Sequence, residues 1–290
     1  MQRRTLLASL AASAVLAPTA RAAAGFITTR DNQRLAFIDR GAGRPVVLIH
    51  GWSLGSAIWS LQTDWLVGQG MRVVAYDRRG HAGSDKLTDG YDFDTLAADL
   101  AAVLDQRDLS QVTLVGHSMG AGEVARYLAR YGSRRVARTL LVAPTTPFAL
   151  KTADNPDGTD RAVYDRLVAA LEADPRAYLA AGAPSFFGRG AEPELVEWGM
   201  SIALQASVPA LVKCLRAFSE TDFRPDMRAF TMPALIIYGT ADMPSTARNA
   251  ARTAAAIPGS RVEAYDGAPH GLFLTDPARF NRDLLSFARS

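Results

Sequence analysis

The sequence predicts an α/β domain built on a mostly parallel, twisted sheet of eight strands, flanked by helices and carrying a helical cap inserted after the sixth strand. From residue 26 onward, short β-branched runs alternate with amphipathic stretches, a pattern typical of parallel strands joined by helical crossovers. The alternation breaks after Ala143 and resumes at Met232, which predicts a cap over about 145–230. With 48% apolar residues in a chain of 290, one large core and a single domain over residues 25–290 are expected.

Two of the predicted strands form a hairpin and six are buried. The hairpin turns at Asp31-Asn32, a pair that favours a turn. The six others are short apolar runs followed by turn residues, as expected of strands covered on both faces. In chain order the predicted strands are Phe26–Thr29, Leu35–Asp39, Val46–His50, Val73–Tyr76, Val112–Val115, Thr139–Val142, Ala234–Tyr238 and Arg261–Tyr265.

Helices are predicted where apolar residues recur at helical spacing. Asp92 can cap the helix that runs to Arg107, and Asp276 with Pro277 suits the N-cap and first position of the last helix, which extends to Ala288. Another helix follows from Met119 to Tyr131. Within the cap, helical stretches are Asp160–Ala173, Glu192–Gln205 and Pro209–Phe218.

Residues 1–24 are interpreted as an export signal. Arg3 and Arg4 precede an apolar run from Leu6 to Ala17 that ends in small residues. The adjacent arginines resemble a twin-arginine signal, with an ordinary secretory signal as the alternative. A transmembrane anchor is disfavoured, because the run is shorter than the roughly 20 apolar residues that cross a bilayer. The mature protein is therefore expected in the periplasm or outside the cell.

A candidate nucleophile lies in the motif Gly116-His117-Ser118-Met119-Gly120. The motif directly follows a predicted strand and directly precedes a predicted helix, the context of a nucleophile elbow. Small residues at both flanks permit the sharp turn that exposes the serine. The same motif in an ordinary loop would carry no such meaning. Ser118 is therefore the predicted nucleophile.

A serine hydroxyl needs a base to take its proton, and the chain has four histidines. His270 lies in a loop after the last predicted strand, and loops after parallel strands open on the same face as Ser118. His117 is expected to point away across the elbow and His50 to be structural, while His81 lies in a turn where it could equally be structural. His270 is the predicted base.

An imidazole base needs a carboxylate on its other nitrogen to fix its tautomer. Asp242 follows a predicted strand in Gly239-Thr240-Ala241-Asp242 and gives the chain order Ser, Asp, His that this type of site uses. Asp266, nearer in sequence to His270, remains the alternative acid.

The oxyanion is expected to be held by two backbone N–H groups. One is Met119, which follows the serine at a helix N-terminus. The other is Trp52, because Gly51 before it allows close approach to a ligand. The Trp52 ring would line the acyl pocket or simply pack in the core. Four aromatic residues of the cap could likewise line the substrate pocket or pack in the core. They are Phe148, Phe186, Phe187 and Phe218.

Composition argues against several classes of partner. The formal charge is +3 and charges of both signs are interspersed, so neither nucleic acid nor an anionic membrane is expected as a partner. The single cysteine excludes an intrachain disulfide, and no His or Cys pair has metal-ligand spacing. No metal and no cofactor are therefore expected. Nothing in the sequence predicts an oligomeric state.

From Phe26 to the C-terminus the chain resembles the cofactor-free, non-haem haloperoxidase and aryl esterase branch of the α/β hydrolases, also called perhydrolases. Beyond the elbow, the markers are His50-Gly51-Trp52, Tyr76-Asp77-Arg78-Arg79-Gly80, Asn155-Pro156-Asp157-Gly158 and Gly267-Ala268-Pro269-His270-Gly271. The resemblance implies the α/β-hydrolase fold, triad roles for Ser118, Asp242 and His270, and oxyanion roles for Trp52 and Met119.

The resemblance also implies an activity: hydrolysis of a small-molecule ester through an acyl-enzyme, with hydrogen peroxide able to replace water and yield a peracid. The family usually has proline after the aromatic residue of the oxyanion loop, where this chain has Ser53. Esterase activity is thus the firmer expectation. The alternatives are an enol-lactone or carbon–carbon bond hydrolase with the same triad, and a ligand-binding protein that has lost turnover.

Overall fold

The structure, a computed structural model, describes residues 21–290 and contains an eight-stranded sheet. Each predicted strand is present. The strands are β1 (Arg21–Thr28), β2 (Arg34–Gly41), β3 (Pro45–Ile49), β4 (Arg72–Tyr76), β5 (Val112–His117), β6 (Val136–Val142), β7 (Ala234–Gly239) and β8 (Arg261–Tyr265).

The strand order in the sheet is β1-β2-β4-β3-β5-β6-β7-β8. Strands β1 and β2 form the predicted antiparallel hairpin, and β2 also pairs antiparallel with β4. From β4 and β3 through to β8 all neighbours are parallel. The carboxyl ends of β3, β5, β7 and β8 therefore open on one edge, where a ligand crevice belongs.

Ten α-helices accompany the sheet in the described part of the chain. They are α1 (Ser60–Gly68), α2 (Phe93–Gln106), α3 (Met119–Tyr131), α4 (Arg161–Ala173), α5 (Pro175–Phe187), α6 (Pro193–Ala203), α7 (Val208–Glu220), α8 (Pro244–Ala256), α9 (Leu272–Thr275) and α10 (Pro277–Arg289). The predicted caps are confirmed, since the Asp92 carboxylate accepts from the N–H of Thr95 at 2.9 Å and that of Asp276 from Arg279 at 3.1 Å.

The apolar core has one layer on each face of the sheet and a third cluster in the cap. Helices α2, α3 and α8 pack on one face, and α1 and α10 pack on the other. Between β6 and β7 the chain forms the helical cap, α4 to α7, whose own cluster includes Phe148, Val168 and Leu215. The predicted insertion after the sixth strand is thus present.

Two features differ from the sequence prediction. Strand β8 is not buried: it lies at the sheet edge, its first four residues are exposed, and only Tyr265 is buried. The first strand begins at Arg21, several residues before Phe26. The predicted export signal lies outside the described residues except for its last four, which belong to β1.

Among the described residues no single helix is long and apolar enough to cross a membrane. Helices α6 and α7 reach that length and composition only when taken together, and they meet at an angle of 95°.

Candidate active site

Ser118 lies in a sharp turn between β5 and α3, as predicted. Its φ of 53° is in the left-handed region, which a residue with a Cβ rarely adopts. The flanking glycines are required by space: a Cβ on Gly116 would lie 2.6 Å from the carbonyl oxygen of Gly120, and one on Gly120 would lie 2.8 Å from that of Ile49. The Ser118 N–H donates to the Val142 carbonyl at 2.7 Å, which ties the turn to β6. The strained serine is therefore held from both sides.

His270 and Asp242 are in contact. The Nδ1 atom of His270 lies 2.6 Å from Oδ2 of Asp242, whose side chain is fully buried while that of His270 is 15% exposed. The other carboxylate oxygen of Asp242 accepts from the N–H of Met243 at 2.6 Å. Both oxygens are thus occupied, and Nε2 of His270 is the ring nitrogen left for the cavity that His270 shares with Ser118.

The alternative acid, Asp266, is exposed and accepts a hydrogen bond from Oγ1 of Thr240 at 3.0 Å. It belongs to the turn after β8 and is not the partner of His270. The structure therefore pairs the imidazole with the carboxylate after β7.

The loop that carries His270 is fastened to the cap. The N–H of Gly271 donates to the Phe186 carbonyl of α5 at 2.7 Å, and a Cβ on Gly271 would lie 2.8 Å from the same oxygen. The Phe186 ring also packs edge-on against His270, with ring centroids 5.9 Å apart. The orientation of the imidazole thus depends on α5 as well as on Asp242.

His117 is not where the sequence led us to expect. Instead of pointing away across the elbow, its buried ring lines the cavity and lies 4.8 Å from the His270 ring. Its Nε2 is 3.3 Å from the backbone oxygen of His270. Burial lowers the pKa of His117 well below the ordinary value, so the ring is neutral.

His50 is structural, as predicted, and so is His81, whose role the sequence left open. Nε2 of His50 accepts from the N–H of Arg78 at 2.9 Å, and Nδ1 of His81 lies 2.9 Å from the Arg79 carbonyl. Burial lowers the pKa of His50 well below the ordinary value and that of His81 to about 3. Both rings are therefore neutral supports.

The two predicted oxyanion donors flank the serine. Met119 is the first residue of α3. Trp52 follows Gly51, where a Cβ would lie 2.5 Å from Nδ1 of His117, so this position requires glycine. The Trp52 indole N–H donates to the Leu211 carbonyl of α7 at 2.8 Å, and its ring lines the cavity. This one side chain therefore joins the loop after β3 to the cap.

A pair of buried charges, not anticipated from the sequence, supports both loops. The Arg78 guanidinium contacts the Glu123 carboxylate of α3, and each side chain is 1% exposed. Arg78 also donates to the carbonyls of His50 at 2.6 Å and Gly51 at 3.3 Å. The only sequence signal was a glutamate on the apolar side of a helix. The pair ties the loop before Trp52 to the helix that begins at Met119.

The cavity between cap and sheet has a volume of about 550 Å³ and is lined mostly by apolar side chains. Of the four cap aromatics considered, Phe186, Phe187 and Phe218 line it, whereas Phe148 packs within the cap core. Such a cavity accommodates a small organic molecule with its reacting group at Ser118. The arrangement can perform acyl transfer: a nucleophile, a base with its orienting acid, and backbone donors beside it.

The Asn155–Gly158 loop closes one side of this cavity. The Asn155 side-chain amide donates to the carbonyls of Phe148 at 3.2 Å and Leu150 at 2.7 Å. Arg252 of α8 binds Asn155 and reaches Oδ2 of Asp157 at 2.7 Å. The loop and the helix that follows Asp242 are thus fastened together.

Comparison with known proteins agrees with this geometry. Residues 44–277 match the family described as alpha/beta hydrolase fold. The chain is 38% identical to a non-heme chloroperoxidase, CPO-A1, of Kitasatospora aureofaciens over 90% of this chain and 98% of that protein. It is 35% identical to a bifunctional esterase/perhydrolase of Acinetobacter calcoaceticus over 92% of this chain and all of that one.

A solved structure is similar over the same span. The crystal structure of bromoperoxidase from Bacillus anthracis is 37% identical and superposes with a TM-score of 0.87 over 93% of this chain and all of that one.

Proposed function

This chain belongs to the α/β-hydrolase family, and from that membership and the geometry of its site we propose that it is a serine carboxylesterase that also transfers acyl groups to hydrogen peroxide. One observation carries the assignment: the 2.6 Å contact between Asp242 and His270, whose ring faces the same cavity as Ser118. Without that contact the serine would have no oriented base.

The first half of the reaction forms an acyl-enzyme. His270 accepts the proton of the Ser118 hydroxyl through Nε2 while the oxygen attacks the ester carbonyl. Asp242 holds Nδ1–H and stabilises the imidazolium. The N–H groups of Met119 and Trp52 stabilise the oxyanion. The imidazolium then protonates the departing alcohol.

The second half releases the acyl group by the same steps in reverse. His270 takes a proton from water, the hydroxide attacks the acyl carbon, and the carboxylic acid leaves with Ser118 restored. When hydrogen peroxide is the acceptor, the same transfer gives a peracid, and no electron is exchanged with the protein.

Hydrolysis is proposed as the dominant activity because of Ser53. Its φ is 65°, and proline, whose ring fixes φ near −65°, cannot adopt that conformation. The oxyanion loop therefore has a backbone conformation here that the proline-bearing relatives implied by the resemblance cannot share. We expect measurable but weak peroxide-dependent halogenation beside robust ester hydrolysis.

The test compares initial rates on p-nitrophenyl esters of increasing acyl length with peroxide-dependent bromination. Ser118→Ala should abolish both reactions, while Ser286→Ala, an exposed serine on α10 outside the cavity, should leave both unchanged. A folded Ser118→Ala protein with wild-type turnover would refute the mechanism. A folded wild type that hydrolyses no ester and performs no bromination would favour a ligand-binding role.

We also propose that the protein is exported, which rests on Arg3 and Arg4 before the apolar run. If the twin-arginine route is used, replacing both arginines by lysine should prevent export, and the protein should remain in the cytoplasm. Fractionation of cells expressing each form tests this. Equal export of both forms would favour the ordinary secretory route, and retention of the wild type in the cytoplasm would refute export.

A further inference from the structure

The cavity beside Ser118 is apolar inside and polar at one side of its mouth. The polar side is formed by the first turns of α8, where Ser245, Thr246, Arg248 and Asn249 line the cavity and Arg248 is exposed to solvent. Other parts of the wall are formed by apolar side chains such as Leu167, Leu179 and Phe218. A molecule that fills this space therefore meets two chemically different surfaces.

Of the two charged side chains from the cap and α8 that line the cavity, one is in an ion pair with another described residue and the other is not. Asp157 also lines the cavity, but its carboxylate is paired with Arg252 at 2.7 Å. Arg248 is exposed, and it makes no ion pair with any residue of the part of the chain that the structure describes. His270 is paired with Asp242. Among residues 23–290, Arg248 is therefore the charged side chain lining the cavity that has no partner of opposite charge.

The location of Arg248 relates it to the chemistry. Helix α8 begins two residues after Asp242, and Arg248 is four residues further on, about 6 Å along the helix axis. A guanidinium there is within reach of the far end of a ligand whose other end lies at the elbow. Because arginine presents parallel N–H groups that match a carboxylate, it is suited to bind one.

We propose that Arg248 is a recognition site for an anionic end of the substrate, so that the physiological ester carries a carboxylate several carbon atoms from the scissile bond. The inference rests on the proposed esterase function and narrows its substrate class. The apolar wall binds the hydrocarbon part, and the carboxylate pairs with Arg248 at the mouth. An ester without this group binds to the same apolar wall but leaves the arginine unpaired.

The experiment uses substrates that differ only in this charge. Monomethyl and dimethyl esters of glutaric, adipic and pimelic acid place a carboxylate or a neutral methyl ester at the far end of the acyl chain. Acetyl esters of ω-hydroxy acids and their methyl esters place the same pair on the alcohol side. The readout is the kcat/KM ratio of acid to neutral ester for the folded enzyme, corrected for the two equivalent ester groups of the diesters.

The expected result is a ratio of about fivefold in favour of the acid in at least one series at low salt, the size of a favourable exposed ion pair. Because salt screens such a pair, the ratio should fall toward one in 0.5 M NaCl. Arg248→Gln should remove the preference, mainly through KM, and Arg248→Lys should retain part of it. Arg282→Gln, an exposed arginine of α10 outside the cavity and without an ion pair in the described part, should keep it.

Three results would overturn the proposal. The first is the absence of any acid preference in both series while neutral esters are hydrolysed, which leaves the esterase function intact. The second is a preference that survives in Arg248→Gln. The third is equal loss of the preference in Arg248→Gln and Arg282→Gln, which would indicate general surface charge. If no ester is hydrolysed at all, the esterase function itself fails, and the proposal fails with it.

Discussion

Breaking the buried ion pair of Arg78 and Glu123 should lower the free energy of unfolding more than breaking any ion pair on the surface of the protein. Arg78→Met keeps most of the side-chain volume but removes the counter-charge of Glu123, which stays enclosed at 1% exposure. It also removes the donors to the carbonyls of His50 and Gly51. A buried carboxylate left alone must either remain charged in an apolar environment or take up a proton.

The expected loss is about 3–5 kcal/mol of unfolding free energy, the usual cost of breaking a buried pair. Domains have about 5–15 kcal/mol in total, so the variant should remain folded at low temperature but unfold at much lower urea concentration. Burial already raises the pKa of Glu123, and removing Arg78 raises that pKa further. When the pKa of an acid is higher in the folded protein than in the unfolded chain, the free energy of unfolding falls as the pH rises. The loss of unfolding free energy in the variant should therefore be larger at pH 7.5 than at pH 5.5.

Urea unfolding followed by tryptophan fluorescence measures both quantities, with wild type and variant compared at each pH. Arg40→Met is the matched control, because Arg40 and Asp64 are 44% and 65% exposed, and it should cost at most about 1 kcal/mol. Adding Glu123→Gln to Arg78→Met should restore much of the loss. A deficit of Arg78→Met no greater than that of the control, or one independent of pH, would refute the reasoning.

Two other changes test the site, and a third tests the stability contributed by a buried histidine. Asp242→Asn should lower kcat on a p-nitrophenyl ester by about 10⁴ through loss of the correct imidazole tautomer, whereas Asp266→Asn should be near wild type; the opposite order would reassign the acid. Gly51→Ala, whose Cβ would lie 2.5 Å from Nδ1 of His117, should lower kcat at least tenfold with an unchanged circular dichroism spectrum, and a wild-type rate would show that the loop has room. Burial lowers the pKa of His81 to about 3, so as the pH falls this residue takes up a proton in the unfolded chain before it does so in the folded protein. The free energy of unfolding should therefore drop below pH 6, by up to about 1.4 kcal/mol per pH unit for this residue. A smaller loss of stability at acid pH in His81→Gln than in wild type checks this.

The sheet could be predicted because its buried strands are continuous apolar runs that turn residues interrupt. The prediction was wrong about the burial of Arg261–Tyr265, because this run includes the charged Arg261 and Glu263, which are exposed at the sheet edge. Helices α1, α5, α8 and α9 were not predicted. The first and last of these are short, α5 contains Gly182 and Pro184, and α8 is rich in alanine, so neither α5 nor α8 has a clear apolar stripe.

The site could be predicted where chemistry depends on motif and chain order. Ser118, His270 and Asp242 each follow a parallel strand, and the geometry of such sheets brings these positions together. Contacts between distant side chains could not be predicted in this way. Neither the pairing of Glu123 with Arg78 nor the ring of His117 beside His270 has a local sequence signal, because each depends on how two separate elements pack.

The cap has its two ends on neighbouring strands, since it leaves β6 and returns to β7. All the groups proposed to break the ester bond, including Ser118 and His270, come from outside that insertion. Replacing the cap would therefore change what enters the cavity while leaving these groups in the chain, provided that the new cap restores the contacts of Phe186 with Gly271 and His270. A replacement cap would also have to restore the hydrogen bond that the Trp52 indole N–H donates to the Leu211 carbonyl.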